Sequence, residues 1–247
     1  MTRGIQPEWG SEEIICSYDV DPHQTVRLPA LCRFMQEIAY HHAEHLGLGH
    51  SFLAAQGMGW VLARQRIAVN QLPKWGDRIH IRTWPSGRDR LFFHRDFEIT
   101  LNGRRVLIAS NAWSLIDIEK RERVHPDHYL RADIPESESL FDERPARLKS
   151  CSDTGGETLS VTYGDLDLNG HVNNVRYIEW VLNSLPLGFH EMHTIKEMEC
   201  NYLAEAVYGQ TLSVYSGETG PRQFDHLIKA GDLELFRARS NWSETGD

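Results

Sequence analysis

Between Tyr163 and Asn174 the chain reads Tyr-Gly-Asp-Leu-Asp-Leu-Asn-Gly-His-Val-Asn-Asn, and seven of these twelve side chains are polar or ionisable. Asp165, Asp167, Asn169 and His171 fall at alternating positions. In an extended backbone alternate side chains lie on the same side, so two carboxyls, an amide and an imidazole would face one space. Such groups can hold or move a proton and can donate to an oxygen that is gaining charge. A polar loop whose asparagines cap the next helix is the simpler explanation, but a short loop does not need a histidine, an asparagine and two aspartates on one side merely to turn. Glu205 follows Asp167 by 38 residues, in another turn; taken alone it reads as a solvated side chain.

Other reactive residue types carry less. His41 and His45 are four apart on a helical stretch with His42 and Glu44, a spacing that can grip a metal, but no His-Glu-x-x-His motif or third ligand accompanies them. The four cysteines (Cys16, Cys32, Cys151, Cys200) include no Cys-x-x-Cys pair and read as free thiols in or near the core. No metal site is expected.

The elements that must position these residues repeat. In the first half a strand over 13–18 and a turn over 19–24 lead into a helix, with Pro29 in its first turn. Leu31, Phe34, Met35, Ile38, Ala39 and Leu46 form its apolar stripe, and Gly47 stops it. Strands follow over 60–70, 78–84, 90–101 and 104–117, the last two joined by the hairpin signal Asn102-Gly103. Pro135, Pro145 and the acidic clusters at 136–138 and 142–143 read as a linker. The order then restarts: a strand over 158–163, a loop, a helix over 174–184 with Val175, Ile178, Val181 and Leu182 as its stripe, then strands over 194–203, 211–216, 223–230 and 234–242. A helix apolar on one side packs economically inside its own antiparallel sheet, so the chain reads as α+β, with two such layers sharing a sheet. The predicted domains are 1–130 and 154–247, joined by a linker over 131–153. Asn70-Gln71-Leu72 before Gly76 is echoed by Asn201-Tyr202-Leu203 before Gly209; this makes the second turn two residues longer, around Glu205.

Of 247 residues, 40% are hydrophobic and 25% charged, which excludes collagen-like, mucin-like and wholly disordered chains. Apolar runs fall short of the ~18 residues of a membrane helix, and Met1 to Gly10 lacks a signal-peptide core. A cytoplasmic protein without a membrane span is expected. The net charge of -9 argues against nucleic-acid binding. Residues 60–130 carry 13 Lys/Arg against 8 Asp/Glu, whereas the rest carries 13 against 27. That basic middle suits a small acidic partner, or is the solvated face of amphipathic strands.

The run Asp165-Leu166-Asp167-Leu168-Asn169-Gly170-His171-Val172-Asn173-Asn174-Val175-Arg176-Tyr177-Ile178 resembles the signature of the acyl-acyl-carrier-protein (acyl-ACP) thioesterases, the plant-type enzymes and their bacterial relatives. Gly59 to Arg64, Pro73 to Asp77, Thr83-Trp84, and Met35-Gln36-Glu37 through His42 are similar to that family too. The likeness spans roughly 11–216. Its double asparagine after the histidine separates it from the shorter Asp-x-x-x-His of other hot-dog proteins. It implies a tandem hot-dog fold, each half an antiparallel sheet around a long helix. It also implies hydrolysis of fatty acyl-ACP to free fatty acid and carrier protein, ending chain elongation, without a cofactor and in a homodimer.

The family's active-site positions carry over to Asp167, Asn169, His171 and Glu205. Many plant relatives have a cysteine after that glutamate; here it is Ala206, and Cys200 lies five residues before Glu205, a poor substitute. Water must then attack. Glu205 is the candidate general base; Asp167 either supplies it with a neighbouring carboxylate or orients His171. Asn169 and His171 donate to the thioester oxygen or hold the water, and backbone amides at the start of the second helix complete an oxyanion site. The first half becomes the acyl-chain side, with Leu31, Phe34, Met35, Ile38 and the apolar face of 60–69 as candidate lining. Arg64, Arg66, Arg78, Arg82, Arg88, Arg90 and Arg95 become candidate contacts for an acidic carrier protein. Two alternatives keep the fold: an acyl-CoA thioesterase and a non-enzymatic acyl-binding module.

Overall fold

The computed structural model describes residues 6–125 and 134–245; the remaining parts of the expected linker and of the chain start lie outside the described residues. Two compact units emerge, Met1–Ala63 with Val69–Arg144, and Arg64–Ala68 with Pro145–Asp247.

The first unit contains β1 (Trp9–Ile14), α1 (Leu28–His45), α2 (His50–Ala54), β2 (Met58–Val69), β3 (Arg78–Arg88), β4 (Phe93–Leu101), β5 (Arg104–Asp117) and β6 (Glu122–Val124). Its strand order is β1-β3-β4-β5-β2, with β6 on β5. Leu31, Met35, Ile38, Ala39 and His42 recur every three or four residues along α1, and all are buried, because that spacing keeps them on one helix face. Ile79, Ile81, Phe97, Ile99 and Leu107 are fully buried on the strands. Truncating Leu31 or Ile38 to alanine would cost about 2–5 kcal/mol. Asn102 and Gly103 turn with φ of 51° and 75°, the positive pair that a tight hairpin requires.

The second unit contains β7 (Glu157–Ser160), α3 (Asn174–Asn183), α4 (Leu187–Met192), β8 (His193–Tyr202), β9 (Thr211–Gly220), β10 (Gln223–Ala230) and β11 (Leu233–Glu244). The strand order is β8-β11-β10-β9-β7, and Arg64 to Ala68 of β2 pair antiparallel with β8. Tyr177, Ile178, Val181 and Leu182 form the buried stripe of α3.

Several expected boundaries move. The strands expected over 13–18 and 158–163 stop at Ile14 and Ser160, and 3-10 turns take Ser17–Asp19 and Tyr163–Asp165. Asp19 Oδ2 accepts from the Cys16 amide (3.0 Å), and Asp165 Oδ2 accepts from the Thr162 amide (2.7 Å). A short carboxylate satisfying nearby backbone competes with strand pairing. The strand expected from residue 90 starts at Phe93, because Asp89 Oδ1 takes the amides of Leu91 and Phe92. The acidic, proline-containing stretch is tied down where described. Leu140 donates its amide to Asp96 (2.7 Å), Trp84 its indole N–H to the Glu138 carbonyl (3.0 Å), and Arg144 a guanidinium N–H to the Ser86 hydroxyl (3.1 Å).

Candidate active site

Two loops of the second unit meet. After the 3-10 turn, Leu166 and Val172 form an isolated antiparallel bridge, closing a tight loop between them. Gly170 turns this loop at φ 78°, a conformation that costs glycine little. Asp167 Oδ1 accepts the amides of Asn169 (2.8 Å) and His171 (3.3 Å). The segment is therefore a clasped turn rather than an extended run, which corrects the expectation of four side chains facing one space. Asp165 is buried under the loop, bonded to Thr162 and to Arg176 Nε (2.8 Å). Burial pushes its carboxyl up, but the hydrogen bonds from Thr162 and Arg176 outweigh that and hold it below the usual carboxylate range.

The second loop follows β8. His171 pairs with Val207 in a further antiparallel bridge, and the Val172 amide donates to the Ala206 carbonyl (2.9 Å). That lacing places His171 Nδ1 3.4 Å from Glu205 Oε2, with the side chains 34% and 52% exposed. A small side-chain movement closes such a gap to proton-transfer range, and catalytic contacts are often loose before substrate binds. Asn169 is exposed, and no side-chain hydrogen bond joins it to the other three among the described residues. Asp167 meets His171 through the backbone.

Tyr177, which the sequence reading gave no role, stands beneath the pair. Its phenol oxygen accepts the Ala206 amide (2.9 Å). Burial pushes the phenol up to about 12; the Ala206 hydrogen bond pulls against this, and the carboxylates of Glu205 and Asp167 add to it. The available signal was its place on the buried stripe of α3, six residues after His171. At the start of α3 the amides of Asn173, Val175 and Arg176 already donate to Asp165, the Asn173 side chain and the Asn173 carbonyl. Only part of the expected helix-start oxyanion site is thus available, with the Asn174 amide as its best remaining donor. A cleft of about 340 Å³ in this unit is lined by Ser160, Thr162, Asp165, Trp180 and Ser184 among others, and does not include His171 or Glu205.

The first unit holds the same loop with different side chains. Val20 and Val26 form its bridge, Thr25 pairs with Lys74, and Val26 donates to the Pro73 carbonyl (2.9 Å). Asp21 Oδ1 accepts the amides of His23 and Thr25, each at 2.9 Å. Asp19, Asp21, His23 and Thr25 therefore stand where Asp165, Asp167, Asn169 and His171 stand, so the stretch expected only as a turn over 19–24 is a comparable polar loop. The turns after β2 and β8 are also equal in length. Asn70 and Gln71 both donate to Val106, Leu203 and Ala204 both donate to Leu235, and Gly76 and Gly209 donate to Ile15 and Val161. In this register Leu72 matches Glu205, and the expected two-residue insertion is absent. The first unit has threonine and leucine where the second has the imidazole and the carboxylate.

The basic middle is largely spent within the fold. Arg66 pairs with Glu197 (2.8 Å), Arg78 with Glu12 (3.6 Å), Arg82 with Glu8 (3.0 Å) and Glu98 (2.6 Å), and Arg88 with Glu136 (3.6 Å). Arg64 donates to the Pro145 carbonyl, and Arg95 is buried. Of the thiols, Cys32 and Cys200 are buried whereas Cys16 is exposed, and burial raises Cys32 to about 12. No cluster of three or more metal-ligating side chains occurs among the described residues, nor any helix long and apolar enough to cross a membrane.

A chain in which two α+β units each fold an antiparallel sheet on a central helix, with the site loop at the helix entry, is a tandem hot-dog protein. It belongs to the acyl-ACP thioesterase family: the N-terminal domain profile matches residues 9–130 and the C-terminal domain profile residues 149–244. A crystal structure of an acyl-ACP thioesterase from Bacteroides thetaiotaomicron superposes with a TM-score of 0.88 at 26% identity, covering 96% of this chain and 98% of that one. The 12:0-ACP thioesterase from Umbellularia californica gives 0.88 at 25%, covering 97% and 98%. Among curated relatives, the chloroplastic acyl-[acyl-carrier-protein] hydrolase FATB1 of Cuphea viscosissima is 28% identical over 92% of this chain and 60% of its own length. The chloroplastic dodecanoyl-[acyl-carrier-protein] hydrolase of Cinnamomum camphora is 28% identical over 92% and 65%. The chain thus spans less than two thirds of the length of these curated relatives.

Proposed function

We propose that this protein is a thioesterase that hydrolyses fatty acyl-ACP to free fatty acid and the carrier-protein thiol, with the C-terminal unit supplying the chemistry. The observation that carries the reading is the His171–Glu205 contact at 3.4 Å, in one of two matching loops, with family membership behind it. Glu205 takes a proton from water as the water oxygen bonds to the thioester carbonyl carbon. The carbonyl oxygen gains charge and is met by Asn169 and the amide of Asn174, with His171 holding the water or donating to that oxygen. Collapse breaks the carbon–sulfur bond, and the proton held by Glu205 leaves with the thiolate. Asp167, committed to two backbone amides, positions the loop. With Ala206 where a cysteine would stand, no thiol nucleophile adjoins the base.

The N-terminal unit is read as the acyl-chain side, and a cytoplasmic homodimer completes the proposal. Thiol release from dodecanoyl-ACP and dodecanoyl-CoA by the purified protein tests it. Turnover with higher kcat/KM on the carrier protein is expected; preference for CoA redirects the substrate, and binding without turnover refutes the enzyme.

A further inference from the structure

The helix-facing side of the first unit's sheet is not wholly apolar. Arg95 on β4 is only 5% exposed, and its guanidinium donates to His42 Nδ1 on α1 (2.9 Å) and to Thr83 Oγ1 on β3 (3.2 Å). A guanidinium has no lone pair to offer, so Nδ1 of His42 accepts. The ring proton then sits on Nε2, which donates to the Gln6 carbonyl (3.0 Å). Burial, and next the Arg95 charge, push His42 down to about 4. Arg95 therefore lies in the core between two neutral partners.

Asn111 stands directly opposite Arg95 in the β4–β5 ladder, and Trp113 opposite Phe93, so all four side chains share one face. Asn111 is 4% exposed, and among the described residues neither its Oδ1 nor Trp113 Nε1 has a hydrogen-bond partner. An unmet acceptor and an unmet donor thus sit two residues apart on one strand face, beside a buried cation. Each such group is destabilising when left alone.

We propose that Asn111, Trp113 and Arg95 form a subsite for a hydroxyl group on the acyl chain, which makes hydroxylated acyl chains a substrate class of this protein. The inference rests on the reading of the N-terminal unit as the acyl-chain side. A hydroxyl suits the pair because it accepts from the indole N–H, or from Arg95, while donating to the amide oxygen. A methylene leaves both unmet, and a carboxylate has no proton for Asn111 Oδ1.

Calorimetric titration of the full chain with dodecanoate, its positional hydroxy isomers and dodecanedioate tests the subsite without requiring turnover. One hydroxy isomer is expected to bind about tenfold more tightly than dodecanoate, the yield of one or two net hydrogen bonds. Asn111→Leu and Trp113→Phe should each reduce that ratio to within about threefold. Neither change removes a side-chain hydrogen bond found among the described residues, and a thermal midpoint checks each variant. The proposal is overturned if no isomer exceeds dodecanoate (the site then holds only water), if dodecanedioate binds best, or if the preference survives both substitutions. Thiol release from dodecanoyl-ACP separates the outcomes: hydrolysis without hydroxyl preference removes the subsite alone, whereas absent hydrolysis removes the proposed function.

Discussion

Replacing Tyr177 by phenylalanine removes one oxygen from beneath the site. The Ala206 amide is then left in a fully buried residue without its 2.9 Å acceptor. An abandoned buried donor costs about 1–3 kcal/mol. At roughly 2–4 °C per kcal/mol for a chain of this size, the melting midpoint should fall by about 2–12 °C. The ring remains to pack against Tyr202 and Phe236, so no large cavity confuses the result. The kinetic effect is separate. Ala206 follows Glu205 directly, and its carbonyl holds the His171 strand through Val172. Loosening it shifts the carboxylate against the imidazole, and a misplacement of about 1 Å can cost 100-fold. The expected outcome is a fall in kcat of about tenfold to 100-fold with KM little changed, measured by steady-state thiol release alongside calorimetric melting. A variant with unaltered midpoint and kcat refutes the reasoning; equal loss of kcat and folded fraction reduces Tyr177 to a packing residue.

Further outcomes follow from the same geometry. His226 is buried between Ser216 and Ser240, and burial lowers it from 6.5 to about 4. Because the folded value lies below the unfolded one, its stabilising effect is present above pH 6.5 and fades as pH falls towards 4. Urea unfolding at pH 7, 5 and 4 should register a loss of about 3 kcal/mol from this group by pH 4, with His42 acting in the same direction; a flat profile contradicts it. Ala206→Cys should gain no acyl-enzyme, so intact-protein mass spectrometry during turnover should find no acyl adduct. Since most of the central arginines are already ion-paired, kcat/KM on acyl-ACP should fall only shallowly with salt; a steep fall would mean that a free basic face remains.

How much was legible in the sequence follows the physics of each signal. The helices were readable because a stripe such as Leu31–Met35–Ile38 persists over several turns, and the first part of β3 because Arg78 to Thr83 alternates outward and inward. The short α2, α4 and β6 do not last long enough for a period to register. The 3-10 turns were hidden because Asp19 and Asp165 sit at strand-like spacing, and only their bonds to Cys16 and Thr162 reveal that they cap the backbone. In the same way, the letters alone do not show that Asp167 Oδ1 clasps two backbone amides. The echo of Asn70 in Asn201 misaligned the repeats by two residues, because it matched letters where the bulge bonds to Val106 and Leu235 set the register. Charge counting found a basic middle but could not see the glutamates of neighbouring strands that neutralise it. The meeting of His171 with Glu205 came from family resemblance, since 33 residues of intervening chain leave no local trace of a contact.

The most direct test is a single-turnover experiment with excess protein over dodecanoyl-ACP, comparing the natural chain with Glu205→Gln. The half-exposed position of Glu205 lets the amide stand in its place without unfolding the loop. Stoichiometric release of dodecanoate and carrier-protein thiol is expected from the natural chain, with a rate at least about 100-fold lower in the variant, the scale of losing a group that acts in the transition state. Equal rates, or release that proceeds through a protein-bound acyl group, would contradict water attack assisted by the carboxylate of Glu205.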